Sequence, residues 1–139
     1  MAGNNAPIYS RVADVQWNSI PVQSANTTTD LTSGTIYPVF TADTTNGGYV
    51  QRMRFKPLGT NVATVARIWL NNGSATTTGS NNSLWDELTI VASTASQTSA
   101  QPVYEVPLNF ALPPSYRLYV TLGTSGATGY DVVTIGGKY

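Results

Sequence analysis

The chain has 139 residues, about the length of one ordinary domain and enough to bury roughly two thirds of the surface its unfolded form exposes. Seven cations balance seven anions, and charged residues are 10% of the chain against roughly 25% in an average domain, so no global field favours nucleic acid or an anionic membrane. The lack of cysteine excludes a disulfide framework and thiolate metal sites, and the lack of histidine removes the commonest general base, the usual zinc ligand and every Ser-His or Cys-His nucleophile pair.

The chain opens on "MAGNNAPIYS", residues 1–10, which has no basic head and no apolar run of signal-peptide length; it reads as an N-terminal arm preceding the folded domain, residues 11–139. From there strand spacing recurs and helical spacing is absent. Strands are predicted over 11–17, 35–41, 49–56, 62–70, 83–92, 103–112, 116–122 and 130–135, separated by Gly, Pro, Asn and Thr clusters. Eight short strands so punctuated predict an all-β, single-domain sandwich of jelly-roll type, with a meander-type sandwich or small barrel as the alternative.

Of the early segments, "QRMRFK" carries the one basic cluster. Arg52, Arg54 and Lys56 fall on one strand face, grouped with Val50 by the two-residue period. Three cations in line suit a protein or phosphate contact, and equally a strand kept soluble by charge. Asn46-Gly47 upstream is a pair frequent in hairpin turns.

The segment "RIWLNNGSATTTGSNNSLWDELTI", residues 67–90, sets a long uncharged loop between two apolar runs, with Asp86 and Glu87 adjacent. Pairing residues whose numbers sum to 154 places Arg67 opposite Glu87 and Trp69 opposite Trp85, with Ala66 opposite Leu88 and Leu70 opposite Leu84 on the other face. This predicts a hairpin closed by a tryptophan clasp, with Asn71, Asn72, Asn81 and Asn82 as loop contact residues. A strand sends neighbouring carboxylates to opposite sides, so Asp86 and Glu87 do not converge on one substrate as glycosidase chemistry requires. Asp30, Asp43 and Asp131 are isolated in turn-like segments without cation-loop spacing. The glycine runs at 46–48 and 123–129 have no helix after them to cradle phosphate. No catalytic residue, cofactor or metal ligand is assigned.

In "VYEVPLNFAL" Tyr104, Val106, Leu108, Phe110 and Leu112 share one face, predicted to be core, and Pro107 predicts a strand that lies at an edge or is interrupted there. After Pro113-Pro114-Ser115, Leu118, Val120 and Leu122 continue the apolar face, with Arg117, Tyr119 and Thr121 on the wet one. If the two runs form a hairpin, Phe110 opposes Leu118 and Leu108 opposes Val120. Trp69, Trp85 and Tyr119 on the exposed faces would make a sugar-stacking platform, the basis of a second functional reading as a glycan- or host-binding module.

The run "GTNVATVARIWLNNGSATTTGSNNSLWDELTIVAS", with "YEVPLNFALPPSYRLYVTLGT" and "VVTIGGKY", resembles small virion structural proteins of tailed bacteriophages, of the capsid decoration or cement type, over residues 58–139. The resemblance is one of overall pattern and transfers no individual residue. It implies a non-enzymatic protein of the capsid surface, made in the host bacterial cytoplasm. It also implies a homotrimer bound between subunits of the major capsid protein, without nucleic acid or membrane as partner. On that reading the arm would order against a neighbour through Ile8 and Tyr9, with Arg52, Arg54 and Lys56 as further contact candidates.

Overall fold

The computed structural model describes residues 10–18 and 21–139 and contains eight strands among them: β1 (Val12–Trp17), β2 (Tyr37–Thr41), β3 (Gly48–Pro57), β4 (Thr64–Asn71), β5 (Asn82–Ile90), β6 (Tyr104–Leu112), β7 (Arg117–Leu122) and β8 (Tyr130–Lys138). They form two four-stranded antiparallel sheets, ordered β1-β8-β3-β6 and β2-β7-β4-β5. Every connection crosses from one sheet to the other except β4–β5, which turns back on itself. Crossing connections with the last strand inserted beside the first make this a jelly-roll sandwich, not a meander or a closed barrel.

The inner faces follow from the two-residue period. Val50, Met53 and Phe55 of β3 and Val132 of β8 face Phe40 of β2, Ala66 and Ile68 of β4, and Leu118, Val120 and Leu122 of β7, all buried in one cluster. Each fully buried Leu, Ile or Phe contributes about 1.5–3 kcal/mol, so this layer dominates stability. Tyr104, Val106, Leu108, Phe110 and Leu112 point into the same core, and Pro107 sits on β6, an edge strand, as its missing N–H demands.

Three details of pairing differ from the sequence expectation. β6 and β7 lie in different sheets, so Phe110 does not pair with Leu118 nor Leu108 with Val120; β6 pairs with β3, and β7 with β2 and β4. Their apolar rows look alike because both face the one core, from opposite sheets. In the β4–β5 hairpin the predicted register holds from Thr64–Ile90 to Ile68–Asp86, then a bulge intervenes and Trp69 lies opposite Leu84, and Leu70 opposite Ser83. The Trp69–Trp85 clasp is therefore not formed. Trp85 instead packs its ring on Phe110 of β6, centroids 4.5 Å apart, across the gap between the two edge strands. A second bulge, between Val50 and Arg52, shifts the alternation of β3: Val50 turns into the core and leaves Arg52, Arg54 and Lys56 outside without it. Asn46-Gly47 does turn the chain, with Gly47 at φ 76°, but it joins β2 and β3 of opposite sheets rather than a hairpin.

The outer face of β4 and β7 is not wet. Residues 26–36 fold over it and bury Leu31 against Trp69 and Tyr119, with Ile36 packed alongside. Asn26 holds this flap: its Nδ2 donates to Ser33 O and Thr35 O, and its Oδ1 accepts from Thr28 N and Thr28 Oγ1. Tyr119 and Thr121, expected in solvent, are thereby buried.

Exposed carboxylates also organise turns. The Asp43 carboxylate accepts from the backbone amides of Asn46 and Thr45, and the Asp30 carboxylate from the hydroxyl and amide of Thr32. These bonds hold both pKa values below the ordinary 3.8. A depressed folded pKa gives stability that is present above the unfolded value and lost as pH falls through the folded one. The prediction is that acidification below about pH 4 destabilises the protein through these turns. Asp43→Asn combined with Asp30→Asn is expected to flatten that limb of a denaturation-versus-pH curve; an unchanged limb would refute the assignment.

Candidate protein-contact face

The first strand inverts the polarity expected of a half-buried strand. In Val12–Trp17 the polar residues Asp14 and Gln16 turn inward and the apolar ones turn out: Val15 is 47% and Trp17 63% exposed. The inward pair is satisfied. Gln16 Nε2 donates to Asp14 Oδ2 and to Thr41 O, each at 2.9 Å, and Thr41 N donates to Gln16 Oε1 at 2.8 Å. The Gln16 amide thus pairs with the β2 backbone as a strand would, and ties the two sheets together at this edge. Hydrogen bonds replace apolar packing inside, and the apolar side chains are left for the surface.

Register spreads this surface over the sheet. Val15 lies beside Ile135 and Trp17 beside Val133, both half-buried on the outer side of β8, whose alternate residues Val132 and Thr134 are buried. One strand further on, Ile135 is beside Arg52 and Val133 beside Arg54. The outer face of this sheet is consequently apolar on β1 and β8 and cationic on β3. Arg52 is 3.7 Å from Glu105 of β6, and Lys56 Nζ donates to Gln101 O at 2.7 Å. Arg54 has no ion pair or side-chain hydrogen bond among the described residues. A face of this make-up, with a large aromatic at its apolar end and arginines beside it, has the composition of a protein-contact surface.

The remaining candidates fall elsewhere. Ile8 and Tyr9 lie outside the described residues. The loop asparagines build the loop itself: Asn71 Nδ2 donates to Asn82 Oδ1, Asn72 Nδ2 to Asn81 Oδ1, Asn81 Nδ2 to Ala75 O, and Asn82 Nδ2 to Thr76 O and Asp30 O. Asn71 is fully buried, and its Oδ1 accepts the amide of Gly73. Arg67 and Glu87 pair at 2.9 Å as expected, while Asp86 accepts only the amide of Glu87. The sugar platform does not assemble: Trp69 is 2% exposed and Tyr119 is buried, leaving Trp85 alone in solvent. Among the described residues no three His, Cys, Asp or Glu side chains gather as a metal site.

Val15 and Trp17 are the residues that reading the sequence missed. The only signal was Asp14 and Gln16 alternating with them, and the ordinary rule for a half-buried strand would have put the apolar row inside. No family model matches the chain, and neither does any curated protein or solved structure.

Proposed function

We propose that this chain is a non-enzymatic structural protein of a phage virion that coats and stabilises the capsid, binding between subunits of the major capsid protein in many copies. The observation that carries the reading is the everted first strand: Trp17 and Val15 face solvent while Asp14 is buried and Gln16 half-buried on the side toward the other sheet. Exposing a tryptophan and a valine forfeits burial worth about 1.5–3 kcal/mol per side chain, and such a face is used when another protein covers it. The jelly roll supplies a stiff platform for it, and many equivalent weak contacts across a shell add up by avidity. The pattern likeness to capsid decoration proteins supplies the particular setting, by analogy alone.

The test is where and how often the protein occurs in the particle. Hundreds of copies on the head shell support the reading, and a handful at a tail or fibre tip would overturn it in favour of a host-binding module. At residue level, Trp17→Ser is expected to lower shell occupancy about tenfold, as loss of a central aromatic anchor does, with thermal stability close to wild type.

A further inference from the structure

We propose that the cleft between the 26–36 flap and the β4–β5 hairpin binds a neutral sugar unit, gripped by the Arg67–Glu87 pair. The site lies on the opposite side of the sandwich from the β1–β8–β3 face and does not rest on the capsid reading.

The cleft follows from the outer row of β4, where Val65, Arg67 and Trp69 succeed one another while Ala66 and Ile68 face the core. The flap closes over Trp69 and leaves Arg67 open beside it, with 26% of its side chain exposed. Two hollows meet at this arginine. One, of about 210 Å³, lies between Thr27, Thr28 and Thr29 of the flap and Leu84 and Glu87 of β5; the other, of about 520 Å³, runs past Val65 and Thr89 to Val91 and Gly123. The smaller has room for one pyranose ring, and the larger for a sugar joined to it.

The polar groups that line the cleft are unspent and carry no net charge. Arg67 Nε donates to Glu87 Oε1 at 2.9 Å, and this is the only hydrogen bond either side chain makes among the described residues. Arg67 Nη1 is enclosed beside Gly123 without an acceptor, while Nη2 and Glu87 Oε2 stay open to the cleft. The hydroxyls of Thr27, Thr29 and Thr89 are likewise unpaired among the described residues, whereas that of Thr28 is committed to Asn26. No other charged side chain lines either hollow.

Other ligand classes leave part of this set unmet. An anion gains little from a guanidinium that Glu87 already offsets, and it meets the repulsion of that carboxylate. An apolar molecule would seal both charges from water without bonding them. A peptide offers its amides one at a time along its length, whereas the free donor and the free acceptor here belong to one ion pair. Neighbouring hydroxyls of a sugar meet both at once: one donates to Glu87 Oε2 and the next accepts from Arg67 Nη2, with threonine hydroxyls left for the rest of the ring. Leu84, 44% exposed, gives an apolar wall for the ring's C–H groups. No stacking platform of three aromatic rings is needed. A protein seated on a shell by its β1 face would present this cleft outward.

The experiment is a titration of the isotope-labelled full chain with glucose, galactose, mannose, rhamnose and N-acetylglucosamine, followed by amide and indole resonances. Sialic acid, inorganic phosphate and a neutral tripeptide serve as comparators. At least one neutral sugar is expected to shift the resonances of residues 27–29, 67, 84 and 87, with a dissociation constant of about 1 mM. Arg67→Met and Glu87→Ala should each weaken it about tenfold or more, with thermal midpoints near wild type because so exposed a pair contributes little to folding. Asn72→Ala, outside the cleft, should bind as wild type does. The proposal is overturned by any of three results: no neutral sugar shifts these resonances at about 100 mM; either pair variant binds as tightly as wild type; or sialic acid, phosphate or the peptide binds more tightly than every neutral sugar. Sugar binding by a protein that no virion carries would support the cleft and remove the proposed function, and a shell protein that binds no sugar would do the reverse.

Discussion

Asn61→Ala is expected to lower unfolding free energy by about 3–5 kcal/mol, a large share of the roughly 5–15 kcal/mol that a domain of this size possesses. Asn61 is 2% exposed and fastens three loops at one end of the sandwich. Its Nδ2 donates to Gly59 O and Gly129 O, its Oδ1 accepts from Thr128 N and Gly129 N, and its backbone bonds Ser93 in both directions. Gly129 sits at φ 81° with no room for a side chain against Val22 O and the Gln23 Cβ, so the loop cannot shift to find other partners. Alanine would leave the amides of Thr128 and Gly129 without that acceptor, at about 1–3 kcal/mol each, and remove the tie between the loops. Denaturant titration measures the loss, with Asn72→Ala in the exposed loop as a control expected to cost about 1 kcal/mol or less.

Asn61→Asp sharpens the test. The introduced carboxylate can accept from Thr128 and Gly129 but cannot donate to the two carbonyls, which would now repel it. Burial beside those carbonyls raises its folded pKa above the unfolded value, so this variant's deficit is smallest below the unfolded pKa and grows as pH rises through the folded one. That is the opposite sign to the limb expected from Asp43 and Asp30. A deficit independent of pH would show that Asn61 does not hold these loops through its amide.

The second large effect is expected at Trp69. Trp69→Ala should cost about 3–5 kcal/mol, because the indole fills the space between the outer face of β4 and the flap that carries Leu31. Its Nε1 donates to Thr121 Oγ1 at 3.0 Å, so the alanine also strips a buried hydroxyl of its donor. Leu31 is held at φ 64°, a conformation that a leucine keeps only when its surroundings over-determine it, and the indole is the main surface it packs against. Removing the ring should therefore free residues 26–36 to exchange backbone hydrogens at rates near those of an open loop. Trp85→Ala, by contrast, removes a ring that is 47% exposed and touches Phe110, and should cost no more than about 1.5 kcal/mol. Equal costs for the two tryptophans would contradict the structure and favour a mutual clasp.

These two sites also mark where the sequence stops being readable. The asparagines, serines and threonines, about 31% of the residues, read as a source of solubility. Asn26, Asn61 and Asn71 are instead buried loop fasteners. An amide side chain has the same donors and acceptors in either setting, and only the loops brought around it decide which it is.

What the sequence determined was whatever depends on neighbours along the chain. Alternation located all eight strands, assigned the inner rows of β6 and β7, marked β6 as an edge through Pro107, and set the β4–β5 register as far as Ile68 opposite Asp86, with the Arg67–Glu87 pair. The tertiary structure decided what depends on strands distant in sequence. A two-residue period fixes which residues share a face but not which sheet the strand joins, so β6 and β7 looked like a hairpin and belong to opposite sheets. One inserted residue reverses the period, so the bulges at Val50 and Trp69 moved Val50 inward and parted the tryptophans. Polarity tells inside from outside only while polar groups have no partner inside. Gln16 finds one in the backbone of Thr41, which lets β1 turn Val15 and Trp17 to the surface.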